Sequence, residues 1–142
     1  MSHLKRENRG FTLLEIMVVV VILGLLVGFV VNRVVNQGER AKSELARAKI
    51  AQISQQLGIY KLHTGQYPTT DQGLKALVQN PGSSKKWGGP YLDANNLKDP
   101  WGNELMYRSP GLHSDFDIVC YGADGREGGD NFNKDVTSWD EE

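Results

Sequence analysis

The chain has 142 residues, with 16 Lys/Arg, 17 Asp/Glu and a formal net charge of −1. That length accommodates one membrane segment and one small domain, because soluble domains most often hold about 100 to 150 residues. The near-zero charge lacks the basic excess of a nucleic-acid binder, and the single cysteine, Cys120, excludes an intramolecular disulfide and a thiolate metal cluster.

The N-terminal part changes abruptly from polar to apolar. Residues 1–10 carry the basic side chains Lys5, Arg6 and Arg9. Between residues 11 and 31 the only clearly polar side chains are Thr12 and Glu15. At about 1.5 Å per residue this run spans roughly 30 Å, the thickness of a hydrocarbon core, and it exceeds the roughly 7 to 15 residues of a signal-peptide apolar region. We therefore predict a single membrane span over residues 11–33, with residues 1–10 in the cytoplasm and the rest of the chain outside.

The helix is predicted to continue beyond the membrane as an amphipathic helix. No proline precedes Pro68, so nothing in the sequence obliges the helix to end at the membrane surface. Apolar residues recur at spacings of 4, 3, 4 and 3, which places them on one helical face: Ala46, Ile50, Ile53, Leu57 and Tyr60. The sequence therefore predicts one helix from about Phe11 to about Leu62 with a buried stripe in its second half.

Short elements are predicted after Pro68. Leu74, Leu77 and Val78 favour a short helix capped by Thr70 or Asp71. Residues 104–108 and 116–121 read as strands, the second with alternating apolar and polar or smaller side chains. Because an isolated hairpin is marginal in water, these strands need the amphipathic half of the long helix as a packing surface. The predicted fold class is α+β.

Several motifs carry a resemblance to a known family. Gly10 followed by Phe11-Thr12-Leu13-Leu14-Glu15 resembles the leader of type IV prepilins. Segments 67–81 (YPTTDQGLKALVQNP), 87–92 (WGGPYL), 98–103 (KDPWGN) and 117–129 (DIVCYGADGREGG) resemble the major pseudopilins of type II secretion, the general secretion pathway protein G family within the type IV pilin-like superfamily. The resemblance implies a pilin-like fold, in which a long N-terminal helix is packed by a small antiparallel sheet and a calcium-binding C-terminal loop.

The leader resemblance assigns roles to three residues. It implies that residues 1–10 are a leader peptide, that a prepilin peptidase cuts between Gly10 and Phe11, that Phe11 is then N-methylated, and that Glu15 serves filament assembly. An ionisable side chain in a membrane span costs about 2.5 to 3.5 kcal/mol near the centre, so it is normally paired. Glu15 is expected to pair with the amine of Phe11 of another subunit. A pair within its own chain and an unpaired interfacial carboxylate are the alternatives.

The C-terminal loop is a candidate calcium site. Its carboxylate and amide oxygens lie among glycines, a combination that suits Ca²⁺, although the spacing does not fit an EF-hand and the composition also fits a solvated acidic loop. The resemblance implies structural calcium with Asp124 as a ligand. The other candidate ligands are Asp130, Asn131, Asp135 and the backbone carbonyls of Tyr121 and Gly129.

The resemblance also implies a function and a set of partners. The chain is expected to be a structural subunit, not an enzyme, that is anchored in the bacterial inner membrane with residues 34–142 in the periplasm. It is expected to polymerise into the pseudopilus of the type II secretion system. The expected partners are further copies of itself, minor pseudopilins, the inner-membrane assembly platform and secretion ATPase, the prepilin peptidase and the outer-membrane secretin. A type IV pilin for adhesion, motility or DNA uptake, and a monomeric signal-anchored periplasmic enzyme or binding protein, are the alternatives.

Overall fold

The computed structural model describes residues 10–140, so the predicted leader residues 1–9 lie outside the described part of the chain. Helix α1 comes first and is followed by the strands of one small sheet, with short 3-10 helices between them. The bounds are α1 Leu13–Thr64, 3-10 helices Leu74–Leu77, Ala94–Leu97 and Asn131–Asn133, and strands β1 Met106–Arg108, β2 Asp117–Cys120 and β3 Val136–Thr137. The chain divides into two compact units, Met1–Gln37 and Gly38–Glu142. The second unit is called the globular unit below.

Helix α1 has 52 residues, and its bounds agree with the predicted limits to within two residues. Its C-terminal end is fixed by local hydrogen bonds. Thr64 Oγ1 donates to the carbonyl oxygen of Tyr60 at 2.8 Å, and the backbone N–H of Gly65 donates to that of Lys61 at 2.8 Å. Gly65 has a φ of 92°, a left-handed conformation that glycine adopts without strain, so the helix ends there.

The predicted stripe of α1 forms one side of the core of the globular unit. Its five residues are at most 4 % exposed, which confirms the prediction: Ala46, Ile50, Ile53, Leu57 and Tyr60. The other side of the core comes from the short elements and includes Leu77, Leu105, Ile118 and Val136. Burying a large aliphatic side chain stabilises the fold by about 1.5 to 3 kcal/mol, so this cluster holds the sheet and loops on the helix.

The sheet is antiparallel and has the order β1-β2-β3. Tyr107 pairs with Ile118, and Cys120 pairs with Val136. The predicted alternation along β2 is wrong, because all four residues from Asp117 to Cys120 are buried. Strand β2 is central and covered on both faces, so even its polar residue is enclosed and hydrogen-bonded. The α+β prediction, a long N-terminal helix with a small antiparallel sheet, is confirmed.

The predicted cap at residues 70–71 is wrong. The 3-10 helix Leu74–Leu77 follows Gly73, and no side chain caps it. Thr70 Oγ1 is instead paired with the backbone of Ser109 at 3.0 Å, a contact between segments that local sequence patterns do not reveal. Thr69 and Gln72 exchange reciprocal hydrogen bonds one turn earlier, so a capping-type motif does exist here but at other residues.

Candidate assembly and metal sites

The start of α1 is built by a pair of reciprocal hydrogen bonds. The backbone N–H of Thr12 donates to Glu15 Oε2 at 2.9 Å, and the backbone N–H of Glu15 donates to Thr12 Oγ1 at 3.2 Å. This is a capping box, in which each side chain satisfies a backbone donor that the first helical turn leaves free. The pattern Thr-x-x-Glu before an apolar run is typical of such a box, but the leader resemblance implied only an assembly role for Glu15.

The capping box leaves part of the Glu15 carboxylate free. Within the described residues, the hydrogen bonds to this side chain all end on Oε2, including one from Thr12 Oγ1 at 3.3 Å. The intrachain partner of Glu15 is therefore Thr12, whereas the alternative considered from the sequence was Phe11. In the uncut chain the nitrogen of Phe11 is an amide and carries no charge. Phe11 itself is 83 % exposed.

Within the described residues, the apolar segment of the first unit is exposed along its whole length. Every residue from Gly10 to Gly38 is exposed, and the exposed fraction of the large apolar side chains between Phe11 and Val35 ranges from 49 % to 83 %. By length and composition the helix can cross a membrane. Such a surface must be covered by lipid or by other protein chains, because exposed apolar patches of this size are rare on soluble monomers.

The structure keeps the predicted calcium ligands in one C-terminal segment but does not gather their carboxylates. Asp124 Oδ1 accepts the backbone N–H of Arg126 at 3.1 Å, and Asp135 Oδ2 accepts that of Gly128 at 2.9 Å. Asp130 is exposed. Within residues 10–140, no three His, Cys, Asp or Glu side chains are grouped so that they could hold a metal ion. A cation here would depend strongly on backbone carbonyls.

Among the described residues, one carboxylate oxygen of this segment is buried without a hydrogen-bond partner. Asp135 Oδ1 is buried and has no hydrogen-bond partner within residues 10–140, and Thr137 Oγ1 shares this property. A buried acceptor without a donor costs about 1 to 3 kcal/mol, more when it is charged. A bound cation would remove that cost at Asp135, so the oxygen chemistry of the loop fits Ca²⁺.

Glycines bring the backbone of the loop close to itself. Gly122 has a φ of 68° and Gly129 a φ of 101°, and a Cβ on either would lie 2.6–2.8 Å from the carbonyl oxygen of Asn133. Asn131 also has a positive φ, of 55°. These conformations turn carbonyl groups in directions that ordinary strands do not allow. Asn133 was not among the residues singled out from the sequence, because its closeness to Gly122 depends on how the loop folds.

A second buried carboxylate organises the turn before β2. Asp117 accepts the backbone N–H of Leu112 at 2.7 Å and pairs with His113 Nδ1 at 3.1 Å. Burial alone would raise the pKa of Asp117, but the N–H of Leu112 and the His113 ring together lower it below the usual range. The His113 ring stacks on Trp139 with centroids 3.8 Å apart, so this network ties the C-terminal end to the sheet.

Sequence and structure comparisons agree with this geometry. The family described as "Type II secretion system (T2SS), protein G" matches residues 33–139, and the prokaryotic N-terminal methylation motif matches residues 5–31. The chain belongs to the type II secretion system protein G family. The protein G match covers most of the globular unit, and the methylation motif covers the predicted leader junction and most of the apolar segment.

Relatives with the same family name match this chain over nearly their whole length. The type II secretion system core protein G of Pseudomonas aeruginosa is 43 % identical over 139 residues, covering 96 % of this chain and 98 % of the relative. That of Vibrio cholerae is 44 % identical over 138 residues, covering 94 % and 93 %. The crystal structure of the major pseudopilin of enterohaemorrhagic Escherichia coli aligns with a TM-score of 0.58 and 30 % identity, covering 72 % of this chain and 90 % of that chain. The chain is thus a protein G pseudopilin in sequence and in fold.

Proposed function

We propose that this protein G pseudopilin polymerises into the periplasmic pseudopilus of a type II secretion system. The observation that carries the proposal is the continuous exposure of residues 10–38, next to a leader junction that matches the methylation motif. The membrane covers this surface in the free subunit, and copies of the same helix cover it in the filament. The chain acts structurally and not as an enzyme, in keeping with a family of secretion-system core proteins.

The proposal includes the partners and the location expected from the family. A prepilin peptidase cuts after Gly10 in the inner membrane, and the globular unit lies in the periplasm. The assembly platform with its cytoplasmic ATPase adds subunits, minor pseudopilins join the filament, and the filament supports the passage of folded proteins through the outer-membrane secretin. The basic residues before Gly10 support this orientation through the positive-inside bias.

Glu15 is proposed to pair with the N-terminal amine of a neighbouring subunit. Cleavage converts the amide nitrogen of Phe11 into a charged amine, and the carboxylate of Glu15 has one oxygen outside the capping box. In an apolar environment an opposite charge within hydrogen-bond distance offsets the cost of burying each ion. The pair therefore favours addition of a cleaved subunit over an uncut one.

The test compares three variants of the full chain in a host with the secretion machinery. Glu15→Ala is expected to insert and be cut normally but to form no filaments by electron microscopy. Thr12→Ala removes the capping partner and keeps the carboxylate, so it separates helix capping from pairing between subunits. Glu44→Ala changes an exposed glutamate of the same helix outside the apolar segment and serves as the matched control.

The outcomes distinguish the competing functions. Filaments from Thr12→Ala and Glu44→Ala but not from Glu15→Ala support the pairing. Equal loss in Thr12→Ala and Glu15→Ala assigns Glu15 to helix capping alone. A chain that keeps residues 1–10 and yields no crosslinked ladders is a monomeric anchor, which contradicts polymerisation. Mass spectrometry of the mature N-terminus is expected to show a methylated Phe11.

We also propose structural calcium in the C-terminal loop. Asp124 and Asp135 supply carboxylate oxygens, and the backbone carbonyls of Tyr121 and Gly129 with the side chains of Asp130 and Asn131 are the further candidates. The Oδ1 of Asp135, which is buried and has no hydrogen-bond partner among residues 10–140, supports this site. When bound, the ion would neutralise the acidic loop and link it to the start of β3, stabilising a segment with little apolar surface of its own.

A further inference from the structure

Glu39 is the first residue of α1 that other parts of the globular unit cover. Every described residue before it in the helix is exposed, whereas its side chain is only 23 % exposed. The first fully buried residue of α1 is Ala46, about two helical turns after Glu39. Residues 39–45 therefore form a helical stretch without a buried side chain, and such a stretch opens readily unless something else holds it.

A long-range hydrogen bond from Trp101 holds this stretch. Trp101 Nε1 donates to Glu39 Oε2 at 2.7 Å, across 62 residues of sequence. Lys42 Nζ donates to the other oxygen, Oε1, at 3.0 Å, so both carboxylate oxygens are engaged. Within the described residues, the Trp101 bond is the hydrogen bond that connects residues 38–45 to the parts of the globular unit outside α1. It is charge-assisted and short, which makes it stronger than a neutral pair.

The loop that carries Trp101 is itself anchored in the sheet. Asp99 is 5 % exposed, and its Oδ1 accepts the backbone N–H groups of Trp101 at 2.9 Å and Asn103 at 2.8 Å. Its Oδ2 accepts the thiol of Cys120, on the central strand β2, at 3.4 Å. The indole is thus presented to the helix by a turn whose conformation a buried carboxylate fixes.

We propose that Glu39 is a positioning residue for filament assembly, which fastens α1 residues 39–45 to the Trp101 loop of the same subunit. Its effect on assembly rests on the proposed polymerisation. Copies that add to a helical filament must present the same geometry, and a frayed stretch at the start of the globular unit would let that geometry vary. The Glu39–Trp101 bond removes this freedom by extending the packed part of α1 from Ala46 back to Glu39.

The experiment uses hydrogen exchange on the full chain in detergent, with four variants. Glu39→Ala and Trp101→Phe remove the bond, and several-fold faster exchange is expected at the amides of residues 40–45. Glu39→Gln keeps an oxygen that accepts the indole N–H but loses the charge assistance, so its amides are expected to exchange more slowly than those of Glu39→Ala. Lys42→Ala removes only the ion pair and is expected to exchange like the unsubstituted chain. Amides around Leu57, in the core, report whether each variant is folded.

The same variants are then expressed with the secretion machinery, and filament yield is measured by electron microscopy. The yield is expected to fall in Glu39→Ala and Trp101→Phe and to recover in Glu39→Gln. Unchanged exchange in Glu39→Ala, an equal effect in Lys42→Ala, or faster exchange with normal filament yield would overturn the assignment. Absence of filaments from the unsubstituted chain would defeat the proposed polymerisation instead, while the exchange result would still decide whether the bond holds the helix.

Discussion

Replacing Leu57 with alanine tests whether the stripe of α1 holds the globular unit together. Leu57 is 0 % exposed and belongs to the core cluster, whereas Leu62 on the same helix is 83 % exposed. Leu57→Ala loses the transfer free energy of the removed carbons and leaves a cavity, which together cost about 3 to 5 kcal/mol. Leu62→Ala deletes the same carbons from an exposed side chain and is expected to change the free energy of unfolding by about 0.5 kcal/mol or less.

The assay is urea unfolding of the full chain in mild detergent, followed by tryptophan fluorescence. The chain has three tryptophans, Trp87, Trp101 and Trp139, and all lie in the globular unit, so the signal reports the unfolding of that unit alone. With a urea dependence of about 1 to 3 kcal/mol per molar, Leu57→Ala is expected to lower the midpoint by about 1 M or more. Midpoints that fall equally for the two variants would refute the assignment of the core to this stripe.

The C-terminal half of the chain supports further tests of metal binding, pH dependence and thiol reactivity. Calcium is expected to raise the melting temperature, and Asp135→Ala is expected to abolish that rise. Asp93→Ala, an exposed control outside the loop, is expected to keep it. A calcium-independent melting curve of the unsubstituted chain would contradict the site. The folded pKa of Asp117 lies below its unfolded value, so its stabilisation is present above about pH 4 and lost as the pH falls through the folded pKa. Asp117→Asn should flatten the acid limb of stability measured by urea unfolding, and a superimposable limb would refute this. Burial raises the pKa of Cys120 to about 11, so a thiol reagent should label it only after urea unfolding, and rapid labelling of the folded chain would contradict its burial.

The limits of α1 and its buried stripe were predictable because a helix repeats about every 3.6 residues. Five apolar residues with matching spacing can lie on one face only, and the absence of proline leaves the helix uninterrupted. A separate reading of strand-like segments, residues 104–108 and 116–121, located β1 and β2 approximately. It did not find β3, because Val136–Thr137 is too short to show a period and becomes a strand only through pairing with β2.

The candidate sites divide in the same way. Thr12 and Glu15 are three residues apart, so their capping box was readable from the chain. The buried oxygen of Asp135, which no donor in the described part of the chain reaches, was not readable, because the folding of a glycine-rich loop around it determines which donors approach it. Asp124, Asp130 and Asp135 are close in sequence, yet within residues 10–140 no three such side chains are grouped so that they could hold a metal ion.

The apolar segment, the long helix and the face that the helix buries were predictable from the amino-acid pattern, because they depend on local periodicity and on the length of an apolar run. The enclosure of β2 on both faces and the contact of Trp101 with Glu39 across 62 residues became visible only in the folded chain. Such contacts join segments whose approach depends on how the whole globular unit packs, and no local pattern carries that information.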